Sequence, residues 1–140
     1  AALPERLGLT WERGYDVVLL GTPKWLYLSY PVARWLDTVR GLDGRQVAPF
    51  ATFCGPPLKI FELEMLFDPL QARLHARGAT VVDRLAVSSN DHPYFFFGEM
   101  AALFRFISRK AFKRPLADFT LDGELGQAAV QRFCDAVCSK

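Results

Sequence analysis

The sequence predicts an α/β fold built on a parallel sheet. Three short runs of apolar and β-branched residues, at 16–21, 46–53 and 79–87, have the composition of strands in a buried sheet. The two stretches between them carry apolar residues at helical spacing. This alternation gives two βαβ units, whose strands run parallel. With 140 residues, the chain is expected to form a single domain.

The first strand is followed by a helix with clear end signals. Pro31 suits its first turn, and Gly41 stands where the chain leaves it. Between them, apolar residues recur at i, i+3, i+4 and i+7, namely Val32, Trp35, Leu36 and Val39. We expect this apolar side to pack on the sheet.

The second strand and the helix after it each contain a proline. Pro49 has no backbone N–H, which favours a place on an edge strand or at a bulge. We expect Pro69 to kink the following helix and Gly78 to end it. The apolar positions of that helix are Ile60, Leu63, Leu66, Leu70 and Leu74.

From Asp91 onward the alternation stops. Segment 94–114 joins aromatic and aliphatic residues to a basic cluster. Such a segment packs its apolar face on its own domain or on a second subunit, or else lies on an anionic membrane, and the packed alternative is favoured. A turn at Asp122 and Gly123 leads to a last helix that reaches Val137 and carries Leu125, Ala129 and Phe133 on the same side.

Composition excludes several classes of protein. Lys and Arg total 17 and Asp and Glu 15, far from the basicity of a nucleic-acid-binding module. Cys54, Cys134 and Cys138 form no CxxC pair, so neither a disulfide framework nor a metal site is predicted. No apolar run approaches the ~20 residues that span a bilayer. We therefore expect a soluble, cytoplasmic protein without a nucleic-acid partner.

The loops after the strands carry the most informative sequence, because ligands of open α/β sheets bind outside the carboxyl ends of the strands. The loop after the first strand is GTPKWLYLSYP (21–31), and the loop after the second is TFCGPP (52–57). Together with the strands before them, these loops resemble the flavodoxin-like family, in which a buried strand ends in a G-[ST]-P-x-W loop before a proline-led helix. The resemblance covers residues 15–87 and implies a three-layer sandwich with strand order 2-1-3-4-5.

The resemblance also implies an FMN cofactor whose ring lies between two loops. The residues implied to bind it are Thr22, Pro23, Lys24, Trp25 and Leu26 in one loop and Thr52, Phe53, Cys54 and Gly55 in the other. Trp25 would stack on the ring, while backbone N–H groups bond its carbonyl oxygens and N1. A cation at Lys24 would raise the reduction potential of the ring. Because the ring supplies the chemistry, no catalytic side chain is predicted.

Two departures from the family pattern concern the phosphate of FMN and the open edge of the sheet. The phosphate loop would lie upstream of Asp16, and fifteen residues precede that position, so we expect an N-terminally truncated domain whose FMN phosphate lacks its main anchor. Pro56 and Pro57 withdraw two amide donors from the second loop. The absent strand would have paired with the strand at 16–21, so we expect a homo-oligomer such as a homodimer at that edge, a partner segment that completes the sheet, or aggregation.

Several loop residues leave alternatives open. Trp25 and Tyr27 either contact the flavin or cap the core beneath the loop. His92 is either a proton-transfer residue or an ordinary polar loop residue. Cys54 is either a thiol that acts near the flavin or a small buried residue, and the second is favoured.

Two functions follow from these features. The first is FMN-dependent electron transfer, or the NAD(P)H-dependent reduction of a small acceptor, with a redox partner or a small molecule as the second substrate. The second is a flavin-free remnant of the family that serves as a protein-binding or self-assembly module.

Overall fold

The computed structural model describes residues 16–24, 28–88 and 98–139. Its elements in chain order are β1 (Val17–Lys24), α1 (Tyr30–Thr38), β2 (Gln46–Phe53), a π-helical segment (Ile60–Phe67) that continues as α2 (Asp68–Ala76), β3 (Thr80–Val81), β4 (Leu85–Ser88), α3 (Gly98–Phe112), a 3-10 segment (Leu116–Phe119) and α4 (Glu124–Cys138). The architecture is α/β with a parallel sheet, as predicted, and is consistent with a flavodoxin-like α/β sandwich. None of the helices in these ranges is long and apolar enough to cross a membrane.

The sheet is centred on β2, which pairs in parallel with β1 on one side and with β3 and β4 on the other. The prediction of a strand at 46–53 is confirmed in both bounds. β3 and β4 share the position predicted for one strand at 79–87. β1 was expected to end at residue 21, but it continues to Lys24 because its register with β2 persists to that point.

Pro49 lies in the middle strand and is fully buried, so an edge position is wrong. The alternative of a bulge agrees with the register, because β2 has two residues between Val47 and Phe50 where the neighbouring strand has three between Val81 and Leu85. The neighbouring strand shows how the sheet accommodates it. The carbonyl oxygens of Arg45 and Val47 accept hydrogen bonds from the N–H groups of Thr80 and Val82, at 2.8 and 3.0 Å. Because the backbone groups of alternate residues face the same neighbour, Pro49 also faces this side. It offers no N–H there, and the neighbour is interrupted at that level, between β3 and β4.

One face of the sheet holds the main core. Val47 and Ala51 of β2 point to this face and are almost fully buried. α1 and the helix at 60–76 cover them with the apolar side chains of Leu36, Val39, Leu66, Phe67, Leu70 and Leu74. The predicted packing of the first helix on the sheet is therefore confirmed.

The opposite face carries apolar side chains that are partly exposed. Leu19 of β1 is 57% exposed and Phe50 of β2 is 39% exposed. Phe50 lies directly across from Gly21 in the register. Its ring covers that glycine so closely that an added Cβ would lie 2.5 Å from the Phe50 Cζ.

The helix at 60–76 changes its geometry next to Pro69. Residues 60–67 form a π-helix, in which the N–H of Asp68 bonds to the carbonyl of Leu63, five residues earlier. Pro69 then lies in the first turn of α2, where a missing N–H is tolerated. The wider π-helical turns change which side chains face the sheet. Ile60, expected on the packed side, is 50% exposed, whereas Gly78 ends the helix as predicted, with a φ of 75°.

The C-terminal part of the chain packs beside β4. α3 places Phe104 edge-on against Phe61 of the π-helix, with ring centroids 6.2 Å apart. This contact favours packing of the basic amphipathic segment on its own domain, although Phe106 on the same helix is 59% exposed. Thr120 adds one parallel bridge to Ser88 at the end of β4.

Candidate functional site

The carboxyl ends of β1 and β2 lie side by side. The register pairs Pro23 with Thr52 and Lys24 with Phe53, so the two strands end at the same level. The two segments implied to hold the flavin ring are therefore neighbours at one edge of the sheet. This is the edge at which open α/β sheets bind their ligands.

The first of these segments is strand rather than loop. Thr22, Pro23 and Lys24 continue β1, although a loop was expected from residue 21. The Thr22 side chain is 4% exposed, and its hydroxyl donates a hydrogen bond to the Pro23 carbonyl oxygen at 3.1 Å. Thr22 therefore packs into the protein, and Pro23 is the exposed member of the pair.

The second segment turns its side chains alternately inward and outward. Phe53 is buried in the core, so its ring cannot stack on a flavin at this edge. Thr52 and Cys54 are exposed. The favoured interpretation of Cys54 as a small buried residue is wrong, because its neighbours Phe53 and Gly55 occupy the inward positions.

Gly55 fixes the path of the loop after β2. Its φ of 102° is a conformation that residues with a side chain rarely adopt. An added Cβ would lie 3.3 Å from the Phe104 ring of α3. The buried hydroxyl of Ser88 donates a hydrogen bond of 2.7 Å to the Gly55 carbonyl oxygen. Pro56 is fully buried as well, so the loop packs between α3 and β4.

The remaining predicted residues lie outside the described ranges. These residues are Trp25 and Leu26 of the implied flavin site, together with Tyr27 and His92. The side chain of Lys24 is also outside the described set. Their roles stay predictions that come from the sequence resemblance.

A cavity of about 250 Å³ opens beside Ser88 at the same end of the sheet. Its lining comes from the loop after β2, the π-helix, β4, the 3-10 segment and α4, and includes Pro57, Glu62, Ser88, Phe119, Leu125 and Arg132. Sequence reasoning missed this cavity. It assigned the positions of residues 60–67 on an α-helical repeat, and the π-helix instead makes Glu62 half-buried and Ile60 exposed.

Glu62 is the titratable group of the described chain whose environment most clearly perturbs it. Burial raises its pKa above the usual carboxylate value, and the positive charge of Arg84 lowers the pKa by a smaller amount. Arg84 itself lies over the Phe67 ring, 5.5 Å from its centroid. A carboxylate with a raised pKa in a cavity is a feature of many ligand and catalytic sites.

No protein-family model, curated protein or solved structure matches this chain. The family therefore remains a prediction that comes from the motifs at 15–25 and 44–52. Within residues 16–24, 28–88 and 98–139, no three His, Cys, Asp or Glu side chains converge on a position that could hold a metal ion.

Proposed function

We propose that the chain binds a flavin such as FMN by its ring at the carboxyl ends of β1 and β2, and acts in electron transfer or in NAD(P)H-dependent reduction of a small acceptor. The main support is that β1 and β2 end at the same level of the sheet, with Pro23 beside Thr52 and Lys24 beside Phe53. A flat ring can contact both strand ends only where they end level.

The exposed groups at this edge suit a ring better than a phosphate. Thr52 and Cys54 are exposed, and their backbone and side chains can donate hydrogen bonds to ring oxygens. Pro56 and Pro57 have no N–H, so the loop offers no nest of amides for a phosphate. The bound ring would supply the redox chemistry, and the protein would supply binding, orientation and electrostatics.

The rigidity of the second loop supports the same proposal. The hydrogen bond from Ser88 to the Gly55 carbonyl and the burial of Pro56 hold the loop in this conformation before any ligand arrives. A loop that is already ordered loses little entropy on binding. The smaller loss of entropy is important for a ligand that is bound through its ring alone.

A cytoplasmic location belongs to this proposal. Cys54, Cys134 and Cys138 are exposed, and none of them forms a disulfide. Exposed thiols of this kind persist in a reducing compartment.

Titration of the purified protein with FMN and, separately, riboflavin tests the proposal by flavin fluorescence. We expect saturable quenching by both, with similar affinity, because the ring and not the phosphate makes the contacts. Trp25→Ala should weaken binding of both by about tenfold through the loss of stacking. Phe106→Ala removes an exposed aromatic ring from α3 and serves as the control. Absence of quenching by either flavin would overturn the proposal.

A second function, self-assembly, is favoured by the face of β1. Leu19 and Phe50 expose apolar surface there, and no described strand pairs with the outer edge of β1. Light scattering over a range of protein concentrations would show self-association on this proposal. Leu19→Lys should abolish it, whereas the equally exposed Leu121 can be changed to Lys as a control. A wild-type monomer at every concentration would contradict this function.

A further inference from the structure

The cavity beside Ser88 has the chemistry of a second ligand site, separate from the edge of β1 and β2. It lies at the carboxyl end of β4, and Pro57 of the loop after β2 forms part of its wall. Cavities at this end of a parallel sheet are where α/β domains hold small molecules. The wall contributed by residues 60–67 is π-helical, a geometry that recurs at functional sites.

Glu62 supplies this cavity with an incompletely compensated negative charge. Its carboxylate is half-buried, and within residues 16–24, 28–88 and 98–139 it makes no hydrogen bond or ion pair. Arg84 acts on it only at longer range. A charge that is withdrawn from water without a partner is unfavourable. A cationic group in the cavity would offset that cost.

Ser88 adds a second acceptor to the lining of the same cavity. Its hydroxyl hydrogen is used in the bond to the Gly55 carbonyl oxygen. The lone pairs of the hydroxyl oxygen therefore remain available to accept from a ligand. An ammonium group, which has three N–H donors, suits a carboxylate and a hydroxyl oxygen together.

Arg132 supplies the opposite charge from a different element. It follows Leu125 and Ala129 at i+7 and i+3 on α4, which places it on the side of the helix that lines the cavity. Its side chain is exposed, and it forms no ion pair with Glu62 or with another acid in the part of the chain that the structure describes. A guanidinium group is well suited to bind a carboxylate through two parallel hydrogen bonds.

The rest of the lining is apolar and the space is small. Pro57, Phe119 and Leu125 provide hydrophobic surface. The volume of about 250 Å³ lies below the ~300–1,000 Å³ of sites for drug-sized ligands. We propose that this cavity binds a small zwitterion of the α-amino acid class with an apolar side chain, its ammonium group at Glu62 and Ser88 and its carboxylate at Arg132.

Isothermal titration calorimetry of the full chain with L-leucine tests this proposal. Isoamylamine lacks the carboxylate and 4-methylpentanoate lacks the ammonium group, so each should bind at least about tenfold more weakly than L-leucine. Glu62→Gln and Arg132→Gln should each weaken the binding of L-leucine by a similar factor. Circular dichroism of both variants would verify that they fold.

Two matched variants separate the cavity from general charge effects. Glu64→Gln changes an exposed acid in the same π-helix, and Arg109→Gln changes an exposed base on α3. Both should bind L-leucine as the wild type does. Failure of L-leucine, L-methionine and L-phenylalanine to bind would overturn the proposal. So would equal binding of the amine alone, or binding that Glu62→Gln leaves unchanged. None of these outcomes depends on flavin, so the result is distinct from the flavin titration.

Discussion

Replacing Gly126 by alanine sets two effects of opposite sign against each other in α4. Alanine favours a helix over glycine by up to about 1 kcal/mol. The added Cβ, however, would lie 1.7 Å from the carbonyl oxygen of Thr120, whereas real Cβ contacts stay beyond 3.0 Å. The partner is backbone, so α4 and the segment before it must separate by more than 1 Å.

The steric effect should prevail. Forcing extra volume between packed elements costs about 1–3 kcal/mol, and a backbone contact belongs at the upper end of that range. After the gain in helix propensity, we expect Gly126→Ala to lower the free energy of unfolding by about 1–2 kcal/mol. For a domain of this size the loss corresponds to a fall in Tm of ~3–8 °C.

Urea denaturation gives the free energy of unfolding directly, and Ala128→Gly provides the control. Ala128 is exposed on the same helix, so this change measures helix propensity alone and should cost about 1 kcal/mol. If Gly126→Ala stabilised the protein by the amount that Ala128→Gly destabilises it, the close approach of α4 to Thr120 would be refuted.

Two further predictions concern a charge and a turn. Burial raises the pKa of Glu62, so the folded state binds its proton more tightly than the unfolded state does. The contribution of Glu62 to the free energy of unfolding should therefore fall as the pH rises from the usual carboxylate pKa through the raised pKa, and stay constant above it. Glu62→Gln should abolish that fall in urea denaturation at a series of pH values. An equal pH dependence in both proteins would contradict the prediction. Gly44 and Gly78 both have positive φ, of 70° and 75°, so alanine should cost about 1–2 kcal/mol at each. At Gly78 the new Cβ would also lie 2.1 Å from Asp43 Oδ1, whereas nothing lies within 4 Å at Gly44, so thermal unfolding should show the larger loss for Gly78→Ala.

The positions of strands could be predicted from sequence because their composition is local, but their ends and neighbours could not. β2 matches its predicted bounds, since a turn precedes its apolar run and bends follow it. β1 is three residues longer than predicted, because pairing of Thr22, Pro23 and Lys24 with β2 outweighs the turn signal of the Gly-Thr-Pro sequence. The edge-strand position expected for Pro49 was wrong for a related reason. Whether its missing N–H matters depends on which neighbouring strand the residue faces.

The candidate sites show the same division. The edge of β1 and β2 could be predicted, because a motif and a general rule about parallel sheets both indicate it. The cavity at Glu62 could not, because its lining comes from five separate parts of the chain and depends on a π-helix. A helical repeat inferred from the sequence assumes α-helical turns, and nothing in the sequence IFELEMLF indicates a π-helix.

The hydrogen bond from Ser88 to the Gly55 carbonyl oxygen joins the two proposed sites. On one side, Gly55 follows Cys54 in the loop implied to hold the flavin ring. On the other side, Ser88 lines the cavity with Glu62 and bridges to Thr120, against which α4 packs. Both proposed sites therefore depend on the same conformation of the loop around Gly55. Because that conformation is already present without a ligand, binding at one site is not expected to change the affinity of the other.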